Sequence, residues 1–466
     1  MPGGRIVWRT PRVNRDKLFE KLNNFRLELP ADLGPRLQLR TAEALFSAGI
    51  PALAGAQTPR EDAIGLLQLA AEVEHALLVQ YLYASQSVRG PMGRTIAHVG
   101  VQEMGHLVTV QNLLLALTGL TTEGIPAGLH LGRDRIRAAS DRNPMPLILE
   151  PVSRSALAKF VVIERPAAIP DAALAARVAQ LEQSVTAEGI TPHPVYALYA
   201  AIRWIFQADD AAGNLGLSTE LGFEPGWHLR DSDFIDATTN TRFASEPIEW
   251  HSIPALIVVP TTDRTEALSA LDQIAAQGEG LPGTQDSHFA AFIGALDQFE
   301  AGGVVVKALP RTPRVASQPQ PEDPGATSIV NDYTTLWAEL LNQVYGLLIL
   351  DLAWAISQPR DGSRGALIDL CIDTMNRVVR PLAAFITTQP LAADPLTVAG
   401  PTFGLADESV PTTIADFRAR FTLHETREAQ TITAIRARPE FAADATGAQR
   451  ALDVEQLTAR RQPYLP

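Results

Sequence analysis

Two acids set in apolar surroundings are the residues of this sequence best placed to do chemistry. In LLQLAAEVEHALLVQYLYASQS (66–87), Glu74 shares a helical stripe with Leu67, Ala70, Leu77 and Tyr81. In TIAHVGVQEMGHLVTVQNLLLALTG (95–119), Glu103 and His106 stand three apart, on a face continued by Val99, Leu107, Val110 and Leu114. An ionised carboxylate in such a stripe is costly unless it is paired or binds a cation. Two helices that each bring one, with a histidine added, are how a helical bundle builds a metal centre. Each motif alone has an ordinary reading, a solvated acid or a local hydrogen bond. Joined by the short VRGPMG turn (88–93), they reinforce each other as a metal site.

Further along, His193, Glu279, Asp286 and His288 stand out. His288 shares a helical face with Phe292, Ala295 and Phe299, so it points inward at a helix start. Glu279 lies between Gly278 and Gly280, where backbone can leave the helix and carry a carboxylate toward a site. A solvated loop acid and a capped histidine are the ordinary readings of these two. HETRE (424–428) misses the zinc-protease pattern, because Glu428 stands where a second histidine is needed.

The elements that must position these residues read as mostly α-helix. Residues 1–60 form an irregular N-terminal extension, with TAEALFSAGI its better helix. A helical hairpin over 61–119 ends at Gly119, followed by short helices at 153–166 and 170–188 and a third core helix opening at PHPVYALYAAIRWIFQ (192–207). Residues 211–260 lack a helical period and read as an insertion, whose Trp227 and His228 would cover the substrate. Helix returns at 262–277 and 286–300. A Pro-rich connection (301–330) leads to a C-terminal hairpin, 331–358 and 362–388, within a unit ending at 405. Residues 406–466 hold one more amphipathic helix near 411–437.

Composition sets the outer limits. At 466 residues, 46% hydrophobic and 20% charged, the chain is globular in character. A net charge of −13 with no basic run argues against nucleic acid or an anionic membrane as partner. Cys371 is the only cysteine, which excludes an intrachain disulfide and a thiolate metal cluster. The N-terminal MPGGRIVWRTPRVNRDKLFEKL has no apolar signal region. The apolar run LWAELLNQVYGLLILDLAWAI (336–356) carries Glu339, Asn342, Gln343 and Asp351, so it is expected as a buried bundle helix. The expected location is cytoplasmic.

At this point the residues reach a resemblance. LLQLAAEVEHALLVQYLYA, IAHVGVQEMGHLVTVQNLLLALTG, FVVIERP, QGEG with SHFAAF, and MNRVVRPLAAFI with AGPTF resemble the ferritin-like domain of iminophenyl-pyruvate dimer synthases. The likeness covers roughly residues 61–405, and its most specific parts are EVEH…QYLYA and QEMGHL. It implies a ferritin-like four-helix bundle (61–300), with Glu74, Glu103, His106, Glu279 and His288 as metal ligands. The family pattern places a Glu just before a Tyr in the third core helix, where this chain has Ala197; His193, one turn earlier, is the available substitute. With three acids and two histidines, one tightly bound ion and a second weaker one are expected.

The resulting expectation is a ferritin-like metalloprotein holding iron, with zinc or manganese as alternatives. Tyr81 would orient a carboxylate or relay a proton. The reaction would be iron-dependent oxidation or oxidative coupling of a small organic substrate in specialised metabolism. The resemblance implies one alternative, metal-assisted coupling of imines of aromatic 2-oxo acids. Another is a non-enzymatic metal-binding scaffold that partners a pathway enzyme. A homo-oligomer or a pathway-enzyme partner is compatible with either reading.

Overall fold

The computed structural model describes residues 6–9, 49–132, 148–167, 169, 171–190, 192–209, 222–251, 253–279, 287–318, 323, 325–394, 396–405 and 409–466. Its centre is a pair of long helices, α1 (Pro59–Gln86) and α2 (Pro91–Thr118), packed along their length. Thr58 caps α1 by accepting from Glu61 N at 3.2 Å, with Pro59 in the first turn. Gly90 (φ 83°) and Pro91 turn the chain into α2, and Gly119 (φ 67°) ends it. The helical stripes expected at 66–87 and 95–118 are thus present, and every residue named on them is buried.

Four shorter helices close over this pair: α3 (Arg154–Ile163), α5 (Val195–Phe206), α7 (Arg264–Glu279) and α8 (His288–Glu300). α5 packs on α1 and α7, and α8 packs on α2 and α3. α4 (Ala172–Ala187) flanks α3. The C-terminus of α3 and the N-terminus of α8 meet the centre of the long pair, and that junction becomes the site. Between α5 and α7 the described residues include α6 (Ala237–Phe243), 3-10 turns at Asp231–Asp233 and Pro247–Trp250, and a strap at 253–259 lying along α2.

One part of the sequence reading is corrected. Residues 1–60 contain a strand pair among the described residues, β1 (Ile6–Arg9) antiparallel to β2 (Ile50–Leu53), and most of TAEALFSAGI lies outside them. The Pro-rich connection carries a short parallel pair, β3 (Pro313–Arg314) and β4 (Thr327–Ser328).

A second core forms around α9 (Asp332–Ile356), α10 (Arg364–Asp373), a π-helical segment (Thr374–Val379), α11 (Arg380–Ile386), α12 (Ile414–Arg436) and α13 (Ala445–Arg461). α9 is the one described helix long and apolar enough to cross a membrane, and 72% of that stretch is buried inside the fold. Its Asp351 accepts from Arg461 Nε at 2.9 Å, which accounts for an acid in so apolar a run.

Candidate metal centre

Glu74 leaves the middle of α1 and Glu103 and His106 leave the middle of α2, all buried. His288 is the first residue of α8, where Ser287 caps the helix by accepting from Ala290 N at 3.2 Å. The expected three-residue spacing brings Glu103 Oε2 to 2.9 Å from His106 Nδ1. From the other side, Glu103 Oε1 lies 3.2 Å from His288 Nδ1. Glu103 therefore stands between two imidazoles whose ring centres are 5.3 Å apart.

A residue missed in the sequence completes the arrangement. Glu164, the C-cap of α3, is buried with Oε2 3.6 Å from His288 Nδ1. On the opposite side Glu74 Oε2 lies 3.4 Å from His106 Nδ1. The site has a two-fold character: Glu74 with His106, Glu164 with His288, and Glu103 between them. Each outer carboxylate also accepts a hydrogen bond from a tyrosine, Glu74 from Tyr199 of α5 and Glu164 from Tyr81 of α1. Tyr81 thus touches a carboxylate as expected, but one that had not been singled out. Its ring packs on Phe160 and Phe292.

The remaining expected positions fall elsewhere. Ala197 is buried in the main core, and the third buried acid beside the two imidazoles is Glu164. His193 stacks on Trp8 at 4.1 Å and takes no part in the site. Trp227 Nε1 donates to Asp62 Oδ2 at 3.0 Å, and His228 Nδ1 to Trp204 O at 2.9 Å. Both anchor the insertion to helix ends, and neither lines the central cavity. Asp286 and the side chain of Glu279 lie outside the described residues.

Charge balance explains how so many buried ionisable groups coexist. Burial and then the Glu103 charge push Glu74 up to about 7. Burial also pushes Glu103 up, but the nearby His288 charge and the hydrogen bond from His106 outweigh it and hold Glu103 below the usual range. Burial pulls the histidines down, yet the carboxylates beside them raise His106 to about 9 and His288 to about 10. Burial and the Glu164 charge raise Tyr81 well above the ordinary phenol, so it remains a neutral donor.

The donor set fits a metal. Ligand atoms of Glu103, His106 and His288 lie within 4.8 Å of one another. Glu103 Oε1 and His288 Nδ1 approach to 3.2 Å, but among the described residues neither has a hydrogen-bond partner of acceptable geometry. Buried polar atoms without partners are costly, and a cation between them removes that cost. The cavity bounded by Glu74, Glu103, His106, Glu164, Tyr199 and His288 has room for about one water-sized sphere.

Residues 67–294 match the family model described as Ferritin-like. The chain is 24% identical over 365 residues to the 2-imino-3-(indol-3-yl)propanoate dimerase of Chromobacterium violaceum, a match covering 70% of this chain and 32% of that relative. The chain therefore spans about a third of the length of that curated relative. No solved structure matches it.

Proposed function

From a chain that carries a ferritin-like domain over residues 67–294, we propose that it is a metal-dependent biosynthetic enzyme with two ions in the α1–α2 site, iron being the first candidate. The carrying observation is Glu103 between two buried imidazoles, with an outer carboxylate beside each. Glu74, His106 and Glu103 would hold one ion, and Glu164, His288 and Glu103 the other. Hard oxygen and imidazole donors suit iron, manganese or zinc.

Bound iron would supply one-electron redox chemistry and the activation of dioxygen or peroxide. Three carboxylates against two divalent ions leave one positive charge, which favours an anionic ligand such as hydroxide, peroxide or a substrate carboxylate. Tyr81 and Tyr199 each hold one oxygen of an outer carboxylate and so leave the other for metal. The charged side chains that line the cavity are buried, which strengthens the electrostatic interactions among them.

The reaction we favour is oxidative coupling of two imines of an aromatic 2-oxo acid, a reading supported by the name of the relative. Joining two such molecules at their side-chain CH2 carbons forms one C–C bond and breaks one C–H bond in each. Two protons and two electrons leave, and dioxygen or peroxide takes them up.

The first test is metal stoichiometry. Anaerobic titration with Fe(II) should saturate at about two ions per chain, the capacity of a bundle site of this kind. Admission of air should then change the absorption spectrum. A storage protein would instead take up many ions per chain, and either that result or no uptake would remove this reading.

A further inference from the structure

The strap at 253–259 is tied to the helix that carries Glu103 and His106. Thr109 Oγ1 donates to Ile257 O at 2.8 Å and accepts from Val259 N at 3.2 Å, while Asn112 Nδ2 donates to Val259 O at 2.8 Å. The approach is so close that a Cβ at Gly105 would meet Ile257 N at 2.7 Å and Ile257 O at 2.9 Å. Gly105, beside His106 in the sequence, is the gap through which the strap backbone reaches α2. At the near end of the strap, Ala255 O accepts from Gln277 Nε2 at 3.4 Å. The other end of the same amide, Gln277 Oε1, lies 3.0 Å from His106 Nε2.

These contacts fix the direction of the hydrogens between Ala255, Gln277 and His106 Nε2. A backbone carbonyl only accepts, so the amide nitrogen of Gln277 faces Ala255 and its oxygen faces His106. The imidazole must then donate through Nε2–H. That leaves Nδ1 as the nitrogen facing Glu103 Oε2 at 2.9 Å and Glu74 Oε2 at 3.4 Å. In the charged imidazolium Nδ1–H donates to these oxygens, and a metal ion bound there would take the place of that proton while Nε2–H stays on Gln277.

We propose that Gln277, held by the strap through Ala255, is a positioning residue that fixes the His106 tautomer and commits Nδ1 to the metal. The inference rests on the metal-centre reading above. It predicts an effect mainly on one of two ions, because the hydrogen bonds of Gln277 run to His106 and Ala255.

The test is Co(II) titration against a competing chelator, following the Co(II) ligand-field bands. Gln277→Met keeps the length and removes the acceptor. It should weaken one ion by about 10–100-fold, shift its bands, and leave the other ion as in the parent. Gln277→Glu restores an acceptor and should return that ion to within about threefold of the parent. Should Gln277→Met not fold, Gln277→Asn draws the amide back by one methylene and carries the same expectation. Parent-like affinity and spectrum in the folded variant would overturn the role of Gln277 while leaving the metal centre standing. A parent that binds no Co(II) would remove both.

Discussion

Glu164 sits at the end of a helix that repels it. The C-terminus of α3 carries the negative end of the helix dipole, and a carboxylate there is disfavoured unless something compensates. That conflict was the available signal in FVVIERP, where an acid follows an apolar run directly. Glu74, Glu103 and His106 were legible because they sit mid-helix, where spacing assigns a face. Glu164 escaped because a residue at a helix boundary belongs to no stripe, and Tyr199 because an aromatic in an apolar helix reads as core. Glu164→Gln should therefore lose the ion on the His288 side by more than about 100-fold, beyond the effect of a residue that only supports ligands. Glu103→Gln should lose both, and a Glu164→Gln titration matching the parent would exclude Glu164 as a ligand. Ala197→Glu adds no ligand in this geometry. It buries an unpaired charge and should destabilise the fold by about 3 kcal/mol, measured by urea unfolding; a gain in metal affinity instead would restore the first expectation. Protons give an independent check, since His106 at about 9 and His288 at about 10 are charged at neutral pH and Glu74 at about 7 is half protonated. Loading two ions at pH 7 should release about two to three protons, read by calorimetry in buffers of differing ionisation enthalpy. No release would mean that the imidazoles are not ligands.

Among the elements, helix existence was more legible than helix environment. The long pair, α9 and the short helices follow apolar periodicity. α13 was missed because its buried stripe, Gly447, Ala451, Val454, Leu457 and Arg461, is small, sparse and partly polar. The π segment in MNRVVRP has a local cause, because Pro381 has no N–H to offer the preceding turn and its ring crowds that turn's carbonyl. The insertion was read as a cover for substrate because 211–260 lacks a helical period and carries Trp227 and His228, and the glycine in EMGH gave no sign of the strap because in sequence it looks like any helical glycine. Only the folded chain shows what faces it. This yields a paired prediction. Gly294 in α8 has open space where a Cβ would be, so Gly294→Ala should stabilise by about 1 kcal/mol through helix propensity. Gly105→Ala gains the same propensity but pushes a Cβ into the strap backbone, and should lose about 1–3 kcal/mol net. Equal shifts in urea midpoint for the two variants would show that the strap does not press on α2.

On the scale of the whole molecule, α1 joins two cores. Leu77 and Tyr81 pack in the first, while Val79 and Tyr83 pack in the second. Beside Glu74, His75 donates Nδ1–H to Leu131 O at 2.7 Å and accepts at Nε2 from Tyr345 of α9. The second core thus reaches the helix that carries the site, so its stability bears on the site's rigidity. That core encloses a cluster in which Asp351 and Glu428 share the neighbourhood of Arg461. Glu428 accepts from Thr458, and its Oε2 is buried without a hydrogen-bond partner among the described residues. Burial pushes Glu428 up to about 7 from an ordinary 4.5, against the pull of Thr458 and Arg461. The sign follows from linkage: between these two values the folded chain binds more protons at Glu428 than the unfolded chain does. Its contribution to stability is therefore fully present below about 4.5 and is lost as pH rises through about 7. Glu428→Gln keeps the shape and cannot ionise, so it should match the parent near pH 4 and exceed it at pH 8 by up to about 3 kcal/mol. Unfolding in urea at both pH values measures the difference. An advantage for the glutamine that does not grow with pH would mean that the Glu428 charge is already neutralised by Arg461, and that the cluster holds the second core together as an ion-pair network in its charged form.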